Sequence, residues 1–263
     1  NYYLTLEMTK EDFEKKAKEL RAANDIEEAE KYELYALSEG KVFRSVNDIF
    51  LAYQTKQIHL HNRIAILGSA LMKKGFTDEM NNSYLLTSVG KVIFNQIFPS
   101  DFPYLNAVNS DNLTHDIESY FVPRGTDVRE AIAKLPLRSP VKKGDLGKII
   151  NEIFQRYDRN GYPKTSAVLD KMKDQGFQYA TVAGFTIALS DIQIVEGKQE
   201  IIEKGDKKVE QIEEMFAMGL LNEEERHKQV VDVWTKINEE VKNKLSAQVK
   251  KDTRNSIFMM SDS

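Results

Sequence analysis

Near the C-terminal end, apolar residues recur three, four or seven positions apart over two stretches. The first holds Ile202, Val209, Ile212 and Phe216; the second holds Val230, Trp234, Ile237, Val241 and Leu245. That spacing predicts two helices sharing a narrow apolar seam, with Trp234 a core residue in it. Between them, Gly219 suits a helix stop and Asn222 a cap, and Glu225, three residues on, can reach back to complete a capping box. A connection this short makes the helices antiparallel. Residues about 198–249 therefore read as a hairpin projecting roughly 30 Å at ~1.5 Å per residue. Gly205 falls on the seam, where it either weakens the first helix or lets its partner approach closely. Leu220 and Leu221 at the turn leave two readings open. In one, an exposed leucine ringed by acids makes a contact point for a basic partner; in the other, both tuck under the turn.

Upstream the pattern is mixed. Residues about 8–38 are rich in Glu, Lys and Ala, with a thin stripe of Phe13, Ala17 and Leu20, then Ile26, Ala29, Leu34 and Leu37. They read as a helical hairpin broken near Asn24-Asp25 and exposed as a solvated surface insertion. The opening run Tyr2-Tyr3-Leu4-Thr5 favours a strand. Ser45 or Asn47 can cap a short helix carrying Ile49, Phe50 and Tyr53, and a strand is expected over Gln57–Leu67. Thr87 or Ser88 starts a helix with Val89, Val92, Ile93 and Ile97 on one face, stopped by Pro99. After a loop-rich, proline-containing section come two amphipathic helices and a final strand-like segment. The fold class is α+β: a mixed, mostly helical domain from residue 1 to about 190, then the antiparallel coiled-coil hairpin within 191–263.

The 263 residues carry 37 Lys+Arg against 41 Asp+Glu, a net charge of −4, which argues against a generally basic nucleic-acid binder. There is no cysteine, which excludes disulfides and thiolate metal sites. The longest nearly apolar run, Tyr179–Leu189, is well short of the ~18 residues of a spanning helix, and the expectation is a cytoplasmic protein with no membrane partner.

Enzyme constellations are not met. His59-x-His61 lacks a third ligand and reads as polar positions on a half-exposed strand. Asp158-Arg-Asn160-Gly161 opens like a calcium loop, but Leu169 stands where the bidentate glutamate belongs, so it reads as a turn. Gly144-Asp-Leu-Gly-Lys and Ser88-Val-Gly-Lys imitate phosphate loops with the wrong glycine spacing, and Ile149 and Val92 occupy the hydroxyl position; both read as helix starts. No catalytic or metal-ligating residue is assigned.

Several segments together carry a resemblance: NYYLTLE, IHLHNRI, TSVGKVIFNQIFP with DFPYLN, TSAVLDKMKDQGFQYATVAGFTIALSDI, EERHKQVVDVW and RNSIFMMSDS. In this order the chain resembles the largest-subunit (beta prime) family of bacterial DNA-directed RNA polymerase, over nearly all of its length except the charged insert. Both chain ends then read as internal to a longer subunit. The resemblance implies a pore domain lining the secondary channel up to about Ser190, and a funnel with rim helices from about Asp191 to Asp252. It implies that nucleoside triphosphates enter, and RNA 3′ ends are extruded, along this wall. The catalytic aspartates lie outside the segment, which is expected to be inactive alone, and no cofactor is expected in it; Mg2+ and Zn2+ belong elsewhere in the subunit.

The implied partners are the other polymerase subunits (beta, alpha, omega and sigma), the rest of beta prime, DNA and RNA through the whole complex, and Gre-type channel factors. Docking of such factors is assigned to the hairpin tip: Met218, Gly219, Leu220, Leu221, Asn222, Glu223, Glu224, Glu225 and Arg226. Lys228-Gln229 departs from the Asn-Lys pair that helps bind ppGpp in proteobacterial relatives. Two readings of other classes stand beside this one, a free-standing coiled-coil adaptor and a hydrolase with a dispersed site.

Overall fold

A computed structural model describes residues 1–108, 113, 117–184, 186, 187, 189, 192, 194–249 and 256–262. The chain separates into two units, residues 1–184 and residues 185–262. Ser190, Asp191 and Asp252, where the sequence reading sets its boundaries, lie outside the described residues, as do Arg254 and Asn255 of the last motif.

The first unit is organised by a four-stranded sheet: β1 (Val42–Phe43), β2 (Arg63–Leu67), β3 (Tyr84–Ser88) and β4 (Phe121–Val122), in that spatial order. β1 runs parallel to β2, while β2–β3 and β3–β4 are antiparallel, with Ala65 opposite Leu86 and Leu85 opposite Phe121. Side chains alternate across a strand, and here both faces are covered. Ile64, Ile66 and Leu85 join the main core, whereas Ala65 and Leu86 pack with Val128 and Ile132 of helix α7 (Val128–Lys134). A strand buried on both sides reads as a continuous apolar run, which is why Arg63–Leu67 shows little alternation.

The helices of this unit are α1 (Tyr2–Thr5), α2 (Lys10–Ala22), α3 (Ile26–Leu37), α4 (Val46–Gln54), α5 (Asp78–Asn81), α6 (Val89–Asn95), α7, α8 (Lys143–Arg156) and α9 (Thr165–Ala183). Ser45 Oγ accepts from the Asp48 amide and Ser88 Oγ from the Lys91 amide, so each serine caps its helix as its side-chain chemistry favours. Every residue of α6 is buried, and the main core gathers α4, α6, α8 and α9 around Phe94, Ile149, Ile153 and Met172.

Several sequence expectations are corrected. Tyr2–Thr5 is a helical turn, not a strand; the Thr5 hydroxyl donates to Asn1 O and accepts from the Val141 amide, contacts that an extended segment would not bring together. The strand expected over Gln57–Leu67 is confined to Arg63–Leu67, because the Asn62 Oδ1 atom accepts the His59 amide at 2.7 Å and turns the chain just before it. The segment around Tyr179 continues α9 to Ala183, where Gly184 (φ +56°) ends it. Asn24 (φ +63°) and the Asp25 cap break α2 from α3 where the sequence places the break. The insert, however, is more than a solvated surface element. Phe13, Ala17, Ala29, Tyr35 and Ala36 are buried, Asn62 Nδ2 donates to Tyr35 O at 2.8 Å, and Arg63 pairs with Glu39 just past α3.

That insert docks on histidines. His59 lies 5.5 Å from the Phe13 ring and 5.2 Å from Tyr35, and His61 stands edge-on to Tyr3 at 4.6 Å. His61 Nε2–H donates to Tyr3 O at 2.8 Å, and its backbone amide donates to His59 Nδ1 at 3.2 Å. Both imidazoles are thereby neutral single tautomers. Burial lowers His59 to about 4 and holds His61 well below the ordinary range, helped by its neighbour His59. Neither residue lies in the strand, and His61 is buried, which corrects the reading of both as half-exposed strand positions; His59 is half-buried as read.

Deeper still, Glu7 is shared by two cations: Lys91 Nζ at 2.8 Å and Arg138 Nη2 at 2.7 Å, with the Arg138 amide donating to its second oxygen at 3.2 Å. Burial pushes the Glu7 carboxyl up, but the two cations win and hold it below its ordinary range. Burial, and the competing Arg138 charge, lower Lys91 to about 8. The glycine of Ser88-Val-Gly-Lys serves this packing too. A Cβ on Gly90 would sit 1.7 Å from Leu4 O, so only glycine lets α1 lie against α6.

In the second unit, α10 (Lys198–Ala217) and α11 (Glu223–Val249) form the expected antiparallel hairpin, with α12 (Ser256–Asp262) beyond. Ile201, Gly205, Ile212 and Ile237 are its buried seam; of the residues read as the seam from their spacing, Ile212 and Ile237 are buried, Ile202, Val209, Val230 and Val241 are half-buried, and Phe216 and Leu245 are exposed. A Cβ on Gly205 would meet Ile237 Cγ1 at 3.1 Å and Trp234 Cζ3 at 3.3 Å, so this glycine admits close approach. Trp234 is 38% exposed and is not the core residue expected; it lies over the glycine with its ring partly in solvent.

Three tests follow from this packing. Gly90→Ala lowers the stability of the first unit by about 3 kcal/mol or prevents folding, since the clash is with backbone, whereas Gly147→Ala, with open space on the exposed face of α8, raises it by about 0.5–1 kcal/mol; denaturant melts of both variants check the pair. Glu7→Gln strands two buried cations and costs about 3–5 kcal/mol, more than Lys91→Met, which leaves Glu7 its arginine; equal losses in denaturant melts overturn the shared-ion account. The two histidines take up protons more readily unfolded than folded, so the stability they contribute is complete above pH 6.5 and is lost as pH falls from there towards about 4. Glu7 contributes a further loss below its ordinary value of 4.5. Thermal midpoints measured between pH 7 and 3 show both steps, and His59→Gln weakens the first.

Candidate protein-docking site at the hairpin tip

The turn between α10 and α11 is built from its own side chains. Gly219 (φ +76°) supplies the left-handed residue that ends α10, its amide donating to Phe216 O at 2.9 Å and the Leu220 amide to Met215 O at 3.0 Å. Asn222 Oδ1 accepts the Glu225 amide at 2.8 Å, and Glu225 Oε2 accepts the Asn222 amide at 3.0 Å, the reciprocal capping box read from the sequence. Glu223, Glu224 and Glu225 occupy the first turn of α11, where negative charge complements the helix dipole.

Arg226 fastens the two arms together. Its guanidinium bonds Glu213 on α10 at 2.7 Å and Glu223 on α11, and lies 5.1 Å from the Phe216 ring centre. The hydrogen bond from Arg226 is the main cause holding the Glu223 carboxyl below its ordinary range, while the same contacts raise Arg226. Glu225 is occupied by the cap and Glu223 by the arginine, so Glu224 is the acid of this turn with neither role.

Of the two leucine readings, the exposed one fits Leu220, which is 67% exposed; Leu221 is half-buried beside it. Met218 is 72% exposed. The tip thus presents Met218 and Leu220 among glutamates on a turn whose backbone is fixed by caps. It offers contact area and negative charge without a nucleophile or a general base held in place, an arrangement suited to gripping another protein. Arg226 is the member whose part was not legible in the sequence; its position four residues after Asn222 gives no hint that it reaches across to Glu213.

The other candidates resolve structurally. Among the described residues no group of three or more His, Asp or Glu side chains is arranged to hold a metal ion. Asp158 accepts the amides of Lys164 and Thr165 and closes a turn through Gly161 (φ +84°). Gly144 and Gly147 lie within α8, and Lys91 of the second phosphate-loop imitation is consumed by Glu7. No described helix is long and apolar enough to cross a membrane.

Comparison with known proteins gives these features a family. Residues 32–192 match the family described as RNA polymerase Rpb1, domain 3. Over 229 residues, 87% of this chain, the sequence is 44% identical to the DNA-directed RNA polymerase subunit beta' of Shouchella clausii, 43% to that of Geobacillus kaustophilus and 41% to that of Bacillus subtilis. In each case the match spans 19% of the relative's length. With the match covering the sheet, α4 to α9 and the second half of α3, the chain belongs to the RNA polymerase Rpb1 domain 3 family.

Proposed function

We propose that the chain is a section of a bacterial beta prime subunit, forming wall and rim of the secondary channel of DNA-directed RNA polymerase. In the complete enzyme, which joins nucleoside triphosphates into RNA on a DNA template, this section guides the passage of triphosphates and of the RNA 3′ end. It performs no bond chemistry itself. Its tip receives proteins that enter the channel, Gre-type factors among them, and its neighbours are the rest of beta prime and the beta, alpha, omega and sigma subunits.

The observation that carries the docking role is the rigid turn bearing exposed Met218 and Leu220 beside Glu224. An exposed apolar pair is worth little to the hairpin itself, because neither side chain is buried in the seam, but it desolvates well under a partner. Surrounding carboxylates favour a basic partner and speed its approach. The adaptor reading accounts for the hairpin equally well, but gives no reason for the likeness to polymerase subunits across the first unit.

A polymerase carrying this segment is expected to lose factor-stimulated RNA cleavage about tenfold in apparent affinity when Leu220→Ser or Glu224→Lys is introduced, with unstimulated elongation unchanged. Titration of a purified Gre-type factor in a transcript-cleavage assay reads this directly. Full stimulation of both variants at wild-type factor concentration would remove the tip from the docking site; loss of basal elongation as well would overturn the claim that it acts only through partners.

A further inference from the structure

Away from the hairpin, in the first unit, the insert and the body of the domain enclose a cleft of ≈530 Å3. One wall comes from α3, with Glu28, Tyr32 and Tyr35; the other comes from Tyr53 at the end of α4 and the turn that follows, with Lys56 and His59. The size lies within the range of small-molecule sites, roughly 300–1,000 Å3.

The rings are held at fixed mutual angles. Tyr32 and Tyr35 meet edge-on at 5.7 Å, and Tyr35 lies 5.2 Å from His59. Their outer atoms are unspent. Among the described residues the hydroxyls of Tyr32, Tyr35 and Tyr53 have no protein hydrogen-bond partner. His59 Nδ1 is occupied by the His61 amide, which leaves Nε2–H as a donor with no protein acceptor. Burial raises the proton affinity of the three phenols, and the Glu28 carboxylate raises that of Tyr32 and Tyr35 further, with smaller contributions to Tyr35 from Tyr32 and Tyr53. All three therefore stay protonated and can donate as well as accept.

Charge narrows the ligand. Lys31, at the edge of the cleft, is held by Glu27 at 2.9 Å and Glu28 at 2.7 Å. Lys56, in the left-handed conformation (φ +57°), has no ion pair among the described residues. One unpaired ammonium beside a glutamate does not make a polyphosphate site, which needs several convergent donors. Ring faces with polar edges suit a flat molecule that stacks and hydrogen-bonds along its rim.

We propose that this cleft binds a planar, uncharged heteroaromatic molecule of nucleobase size, stacked on the tyrosine and histidine rings and hydrogen-bonded at its edge by the three hydroxyls and His59 Nε2–H. The charged insert then has a purpose the sequence does not disclose, since it contributes one wall of the site. Nothing in this assignment depends on the hairpin tip.

The test is a titration of the full chain with adenosine, and separately with inorganic phosphate, followed by saturation-transfer NMR and calorimetry. Saturable adenosine binding is expected, weakened about tenfold by Tyr32→Ala through lost stacking and severalfold by Tyr53→Phe, which keeps the ring and removes only a hydroxyl. Phosphate alone is expected neither to bind nor to compete. Absence of saturable binding up to about 5 mM, a floor of roughly 3 kcal/mol, overturns the proposal. So does binding that Tyr53→Phe and Tyr32→Ala both leave unchanged, or displacement of adenosine by phosphate, which would mark an anion site instead.

Discussion

The carboxylate of Glu7 is the point at which distant parts of the first unit are fixed to one another. An ionised carboxyl with no exposed side-chain surface is costly unless its oxygens are fully used, and here one oxygen takes both Lys91 and Arg138 while the other takes the Arg138 amide. Three segments far apart in sequence must therefore arrive together. Arg138 extends the lock, its Nη1 donating to Leu86 O at 2.6 Å and Asn106 Oδ1 at 2.9 Å, so that the ion cluster also holds a strand carbonyl of the sheet. The close contact of Gly90 with Leu4 lies beside this lock and depends on it: the helix turn at Tyr2–Thr5 is too short to be stable alone and persists because Glu7 and Thr5 are tied to residues 91, 138 and 141.

Around that lock, coverage of the sheet on both faces decides what the rest of the unit can be. With α7 on one face and the main core on the other, the central strands have no solvent side, and polar contacts are pushed to the strand ends. There Arg63 reaches Glu39 and the carbonyls of Ile132 and Leu135, and Asn62 reaches Tyr35. These end contacts are what seat the insert. Its aromatic side chains rest on the His59 imidazole, which is backed in turn by His61, so its attachment is made of ring packing and neutral hydrogen bonds, with the Glu39–Arg63 pair beside it.

What could be read from the sequence was whatever is encoded within a few residues. The capping box at Asn222 and Glu225, the Ser45 and Ser88 caps, the break at Asn24-Asp25 and the pairing of α10 with α11 through Ile212 and Ile237 are all local signals, and each appears in the fold. The failures share the opposite property. Tyr2–Thr5 has β-favouring side chains and becomes helical because of partners more than 80 residues away. Gln57–Asn62 alternates like a strand but is turned by an asparagine side chain. His61 looks polar and is buried under Tyr3 and His59, and His59 is half-buried because Phe13, Tyr32 and Tyr35, which pack on it, belong to an insert whose stripe reads as thin. Trp234 matches the seam spacing, yet Gly205 opposite it leaves room for Ile237 to approach and the indole to stay half in solvent. The tip residues were legible as a set; the part played by Arg226 was not, because a cross-hairpin ion pair has no sequence spacing.

The proposed docking surface at the tip is fixed without adding much to stability. Its charged contacts, Arg226 to Glu213 and Glu223, are largely solvated, and pairs of that kind contribute only about 0–1 kcal/mol. The hairpin's stability lies lower down, where Ile201, Ile212 and Ile237 close around Gly205. Shape at the tip is set instead by backbone geometry, through the left-handed Gly219 and the reciprocal Asn222–Glu225 cap, and this leaves Met218, Leu220 and Glu224 with no structural duty. Side chains without a structural duty can be chosen for what they touch outside the molecule. That separation, a seam for stability and a capped turn for presentation, is why the tip is the part of this chain best suited to meet a partner.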